Sequence, residues 1–133
     1  MSARISSYID PAAYPCAPGQ GALAIQCRTD DAGQDWMTKV HHAATGLCIA
    51  AERGALTALE GSCKTAIGAH AWFEGAHLKL IVEALSTDGQ ARFRHAGEAD
   101  LTELADPERS ARDLGLSLGL AVKAEAGDAI DLS

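Results

Sequence analysis

Thr65–Ala96, TAIGAHAWFEGAHLKLIVEALSTDGQARFRHA, contains three strand-like runs separated by two turn signals. In the middle run, His77–Leu85, Leu78, Leu80, Val82 and Ala84 alternate with His77, Lys79, Ile81 and Glu83, the period-2 signature of a strand with one buried face. The flanking runs are Thr65–Phe73 and Gln90–Ala96, and the turns fall at Glu74-Gly75 and Asp88-Gly89. Asp-Gly between apolar runs is a strong hairpin signal, because glycine supplies the positive φ that a tight hairpin turn needs. The stretch therefore predicts an antiparallel three-stranded meander.

Helical patterns flank it. Upstream, Asp30 and Asp31 suit a helix N-terminus, and Trp36, Val40, Ala44 and Leu47 follow near helical spacing. Thr45-Gly46 is expected to break this helix. A second helix runs to about Glu60, with Cys48, Ala55, Leu56 and Leu59 on its apolar face and Gly61 as its left-handed terminator. Downstream, Asp106 caps a helix that has Pro107 in its first position and ends at Gly127, with Ala111, Leu114, Leu118 and Val122 turned inward. Segregated helices and antiparallel strands give an α+β fold: a three-stranded sheet with helices packed on one face. Residues 1–20, with Pro11, Pro15, Pro18 and Gly19, are irregular, and Ala22–Arg28 reads as a short buried strand without a partner nearby in sequence. That open start reads as the tail of a larger fold: residues 1–28 are expected to be a connecting segment and strand apart from the α+β domain, 29–133.

The chain has 133 residues, 47% apolar and 22% charged, enough for one ordinary domain with a real core. A net charge of −7 disfavours nucleic acid and anionic membrane surfaces, because no basic stripe exists to neutralise phosphates. No apolar stretch approaches a membrane span, and the N-terminus lacks the apolar core of a secretory signal. The expected setting is a reducing cytoplasm with Cys16, Cys27, Cys48 and Cys63 as free thiols.

Candidate chemistry centres on Cys63. It follows Gly61 and Ser62 between a helix end and a strand start, a position that a large molecule could reach. Lys64 beside it favours the reactive thiolate modestly. Geometry alone leaves two readings open, a covalent anchor and a small loop residue without a role. Cys48 and Cys27 lie in apolar patterns and read as buried small hydrophobes. His41-His42 is not expected to bind metal, since adjacent residues on a helix point about 100° apart. Glu52 falls on an apolar helix face, one turn after Cys48, where a carboxylate must find a partner or face another domain. The glycine-rich APGQGA, Ala17–Ala22, lacks phosphate-loop spacing and reads as a tight turn that places Gln20.

Two segments together resemble one family. Pro18–Arg28, PGQGALAIQCR, and Ala51–Gly68, AERGALTALEGSCKTAIG, resemble the segments of porphobilinogen deaminases (hydroxymethylbilane synthases) that contain G-Q-G-A and A-E-R…G-[GS]-C-x-x-P-I-[GA]. Ala66 stands at the family's proline and Gln26 where glutamate is usual. The resemblance implies a C-terminal domain whose Cys63 carries a dipyrromethane cofactor by a thioether, with Gly61, Ser62, Gln20 and Gly21 as cofactor contacts. The cofactor primes the joining of four porphobilinogen molecules into hydroxymethylbilane, in tetrapyrrole biosynthesis. The resemblance places the catalytic aspartate and the carboxylate-binding arginines in earlier domains, so no catalytic residue and no metal ligand is expected here. The implied partners are porphobilinogen, the growing oligopyrrole and the missing N-terminal domains, from which residues 1–28 would come as connecting segment and strand. A rival of another class is a non-enzymatic α+β module that binds a partner protein through the face containing Glu52. A thiol redox sensor is a third reading, weakened by the lack of a resolving cysteine near Cys63 in sequence.

Overall fold

The computed structural model describes residues 4–59 and 65–130. Two helices come first, α1 (Asp35–Val40) and α2 (Ala43–Leu59). Three strands follow, β1 (Ile67–Glu74), β2 (His77–Leu85) and β3 (Arg92–Asp100), and then a long helix, α3 (Pro107–Ala126). The sheet order is β1-β2-β3, with both pairings antiparallel. Ala71 lies opposite Leu80, and Leu80 opposite Gly97. The expected α+β meander is the observed one. Gly75 (φ 62) and Gly89 (φ 70) occupy the two turns, in the conformation for which glycine was read there.

In β2 Leu78, Leu80, Val82 and Ala84 are fully buried as expected, but the opposite face is not simply exposed, since Ile81 and Glu83 are buried too. The two leucines, Val82 and Ala84 join Ala69 and Ala71 of β1 and the inward faces of α2 and α3 in one core. Burying a leucine or valine side chain is worth about 1.5–3 kcal/mol, so the central strand is the chief apolar element. Asp106 caps α3 by accepting a hydrogen bond from the Arg109 N–H at 3.0 Å, with Pro107 in the first turn. Gly127 ends the helix at φ 52. Helices α2 and α3 cross very closely, because Gly54, Gly115 and Gly119 leave no side chains between them.

Three expectations change. The break between the first two helices falls at His41–His42, not at Thr45-Gly46. Gly46 lies inside α2, and the N-cap work is done by His42, whose Nδ1 accepts from the Thr45 N–H at 3.3 Å and pairs with Thr45 Oγ1 at 2.8 Å. The histidine pair therefore sits in a helix break, not on a helix face. Trp36 and Val40, read as part of a buried stripe, are 47% and 53% exposed, since the six-residue α1 packs none of its residues into the core. Ala22–Arg28 forms no strand. Its Leu23 is 97% exposed. A strand exists only through ladder partners, and among the described residues both sheet edges pass it by.

The opening segment, read as irregular, is fastened to the sheet. β1 and β3 turn one face to the helices; on the other face Arg92 and Arg94 of β3 flank Glu83 of β2, at 2.7 and 3.5 Å. Arg92 donates to the Ala13 carbonyl at 2.8 Å, and Arg94 donates to the Ala12 and Ala13 carbonyls. Pro15 then passes over Gly68, where a Cβ would lie 2.7 Å from the Pro15 carbonyl oxygen. At the outer edge of β1 the Ala69 N–H donates to the Cys16 carbonyl at 2.9 Å. Residues 12–16 thus cross the helix-free face from β3 to β1 and turn round its edge.

Candidate functional site

Beyond that edge the chain makes the Ala17–Ala22 turn. The Gln20 N–H donates to the Ala17 carbonyl at 3.0 Å, and the Gln20 side-chain oxygen accepts from the Ala17 N–H at 3.2 Å. Gly19 and Gly21 take φ 76 and 89, which an L side chain would resist. This is the tight turn expected around Gln20.

The turn forms one wall of an open cleft of about 430 Å³. Gln20 and Gly21 stand at one side, the first turns of α2 (Thr45, Cys48) at another, and His70 and Phe73 of β1 at the third. His70 stacks on Trp72, with ring centroids 5.2 Å apart.

Glu52 joins the three walls. It is 7% exposed, and both its oxygens are used: Oε1 accepts from the Ala71 N–H at 2.9 Å and Oε2 from the Gly19 N–H at 2.7 Å. The carboxylate expected to need a partner or another domain finds two backbone donors within its own chain. The rival reading, in which this face receives a partner protein, loses the observation on which it stood.

Cys48 lies one helical turn before Glu52 in the same cleft. Burial pushes its thiol pKa up, and the negative charge of Glu52 pushes it further. A thiol whose pKa rises on folding favours the protonated form. Its contribution to stability is present below the ordinary thiol range and is lost as pH rises through the raised value. Only thiolate attacks, so Cys48 is the inert one. Cys16 is exposed and Cys27 half-buried. With iodoacetamide at pH 8, digestion and mass analysis are expected to show Cys16 labelled at least tenfold faster than Cys48. Equal rates would contradict this assignment.

Of the site residues read from sequence, Gln20 and Gly21 line the cleft. Gly61, Ser62 and Cys63 lie outside the described residues; they join Leu59, fully buried at the end of α2, to Ile67, buried at the start of β1. Among the described residues no group of three or more His, Cys, Asp or Glu side chains could hold a metal ion, and no helix is long and apolar enough to cross a membrane. Sequence reasoning missed the Arg92–Glu83–Arg94 cluster. The available signal was two arginines at i and i+2, on one face of a strand, which demands an acidic partner on the next strand.

Comparison with known proteins gives a single answer. The family described as "Porphobilinogen deaminase, C-terminal domain" matches residues 46–124. The porphobilinogen deaminase of Phenylobacterium zucineum (strain HLK1) is 66% identical over 126 residues, covering 95% of this chain and 39% of that protein. That of Caulobacter sp. (strain K31) is 55% identical over 128 residues, 96% of this chain and 40% of the relative. That of Chlorobium chlorochromatii (strain CaD3) is 36% identical over 131 residues, 98% of this chain and 41% of the relative. The chain thus spans about two-fifths of the length of these curated relatives.

Proposed function

This chain belongs to the porphobilinogen deaminase family, matching its C-terminal domain, and we propose that it is the part of a hydroxymethylbilane synthase that holds the dipyrromethane cofactor through a thioether to Cys63. The observation that carries this reading is the family match over 46–124, which takes in most of α2, all of β1 and the segment with Cys63 between them. When bound, the cofactor supplies the primer on which four porphobilinogen units are joined, each losing ammonia.

The residues present fit such a group in one respect and leave the rest to other domains. A thioether needs a soft nucleophile, and a thiolate is the softest that a protein side chain offers. Cys63 is followed by Lys64 and preceded by two small residues. In sequence it lies between Leu59 and Ile67, both of them buried. Gln20 and Gly21 are assigned to the cofactor side of the connecting turn. Recognition of a polycarboxylate chain needs free guanidinium groups. Arg92 and Arg94 are committed to Glu83 and to the Ala12 and Ala13 carbonyls, and the chain carries −7 overall. On this reading the family resemblance places the carboxylate-binding arginines and the catalytic aspartate in the preceding domains of the whole enzyme, which acts in the cytoplasm in haem and chlorophyll precursor synthesis.

The test is a graft. This chain replaces the matching residues of the Phenylobacterium zucineum porphobilinogen deaminase, and the product is assayed with porphobilinogen and weighed intact. The expected result is hydroxymethylbilane formation and a mass increase of one dipyrromethane mapped to Cys63, while the 133-residue chain alone produces none. An active graft with an unmodified Cys63, or turnover by the chain alone, overturns the reading.

A further inference from the structure

We propose that β3 is a self-complementary edge through which two copies of this chain pair, antiparallel and centred on Ala96, into one continuous sheet. The inference rests on β3 and its neighbours and is independent of the role of Cys63.

β3 ends the strand order β1-β2-β3, so one side of its backbone faces outward. Which groups lie on that side follows from the opposite edge of the sheet. There the Ala69 and Ala71 N–H groups point away from β2, to the Cys16 carbonyl and to Glu52. Backbone groups alternate sides along a strand, so the even-numbered residues of β1 bond to their odd-numbered partners in β2. The even-numbered residues of β2 then bond to odd-numbered residues of β3. Arg92, Arg94, Ala96, Glu98 and Asp100 are left with their N–H and C=O groups turned outward. Among the described residues no hydrogen bond is made to those groups. The opening segment is held by the Arg92 and Arg94 side chains, over the face of the sheet, and leaves the backbone edge open. β3 is 9 residues long, and a long unpaired edge is a template for a further strand unless something repels it.

Edge charges usually supply that repulsion. Here their order makes it fail against one partner. Along the helix-free face β3 reads positive, positive, neutral, negative, negative, at Arg92, Arg94, Ala96, Glu98 and Asp100. The sign reverses at Ala96, which is also the midpoint of the strand. A second β3 laid antiparallel in full overlap sets Arg92 against the partner's Asp100 and Arg94 against the partner's Glu98, and symmetry repeats both pairs. Opposite charges directly opposed across strands stabilise the pairing, and like charges destabilise it. A slip of two residues in either direction halves the number of opposed charges. A parallel copy in register sets each charge against its own kind. Both ends keep charge to offer: Glu83 neutralises only one of the two guanidinium groups beside it. Lys79 lies 2.5 Å from Glu74 and only 3.9 Å from Glu98.

The helix side of the same register is also compatible. It opposes Phe93 to the partner's Ala99 and His95 to the partner's Gly97, a large side chain to a small one each time. α3 packs over β3 while α2 packs over β1, so the side of α3 away from α2 looks out past the open edge. Ser117, Leu120 and Ala124 lie on that side, roughly opposite Gly115 and Gly119, and all three are exposed. Leu120 is 56% exposed. Pairing about Ala96 brings this small-residue side toward its own copy and covers an apolar side chain that a single chain leaves in water.

The 133-residue chain itself serves for the test. Sedimentation velocity at roughly 100 µM, a concentration suited to a small interface, is expected to show a dimer that dissociates on dilution. Amide exchange at Ala96 and Glu98 is expected to slow at least fivefold from the dilute to the concentrated sample, while Val122 in the α2–α3 core keeps its rate. Glu98 is exposed and its ion pair with Lys79 is long, so Glu98→Arg is expected to leave the unfolding midpoint unchanged. It sets like charges against the partner's Arg94 and is expected to sediment as a monomer. A monomeric unmutated chain overturns the proposal. A dimer that Glu98→Arg leaves intact, or one in which the Ala96 and Glu98 amides exchange at the dilute rate, places the contact elsewhere and overturns it too. Should Glu98→Arg fail to fold, Ala96→Pro decides. Proline removes only an outward N–H, which an edge strand tolerates, and it blocks pairing at the midpoint, so a dimer that survives it overturns the proposal.

Discussion

Gly115→Ala is expected to destabilise this domain by about 3 kcal/mol, the upper end for overpacking a well-filled core, and to lower Tm by about 10 °C. A Cβ at Gly119 would lie 2.7 Å from the Ala55 carbonyl oxygen, and one at Gly115 would lie still closer to that of Ala51. The obstacles are backbone atoms of α2, not the ends of flexible side chains, so relief requires the two helices to separate. Separation would break contacts along their whole length, through Ala51, Ala55, Ala111 and Val122, all fully buried. The gain in helix propensity from replacing glycine, about 1 kcal/mol, does not offset this. Gly46→Ala is the matched control. It too lies inside a helix, but its Cβ would meet only the His41 ring, at 3.1 Å, which can turn aside. Thermal unfolding by circular dichroism is expected to show Gly46→Ala at or above the unmutated Tm. A Gly115→Ala midpoint within 2 °C of the unmutated chain would mean that the helices do not cross this closely.

The same contrast shows what was legible in the sequence. Strand β2 was legible to the residue, because the period-2 alternation of His77–Leu85 sets Leu78, Leu80, Val82 and Ala84 on the core face and admits no other register. Helix α3 was equally plain, from the Asp106 cap to Gly127. The α1–α2 boundary was not, because Trp36 and Val40 have helical spacing without a surface to pack on. Periodicity records which residues share a face, not whether anything covers it. β3 runs to Asp100, beyond the expected Ala96, since its later residues are held by pairing with His77–Leu80, partners that local propensity does not see. The connector was least legible. Residues 12–19 have no periodicity of their own, and are ordered by Glu52, Glu83, Arg92 and Arg94, up to 82 positions away in sequence. Glu52 could be flagged as a carboxylate in need of partners, but its donors are backbone groups, which carry no sequence signature.

In the grafted enzyme, Cys63→Ser is expected to reduce hydroxymethylbilane formation to background, while Cys48→Ser retains most of it. Both substitutions exchange sulfur for oxygen at a small residue, so they differ only in what the thiol does. A serine hydroxyl is a hard, weakly acidic nucleophile, and at neutral pH it offers almost no alkoxide. A lost thioether would leave the growing chain untethered, and remote binding could not restore the effective concentration that a covalent link provides. Cys48 has the opposite character. It sits half-buried in the cleft, with its proton held by burial and by the Glu52 carboxylate, and its replacement removes a small packing group. Intact mass decides the cause as well as the effect: the dipyrromethane increment is expected to disappear with Cys63→Ser and to persist with Cys48→Ser. Loss of both activity and increment with Cys48→Ser, and retention of both with Cys63→Ser, would move the anchor into the cleft, where Gln20, Gly21 and His70 already stand.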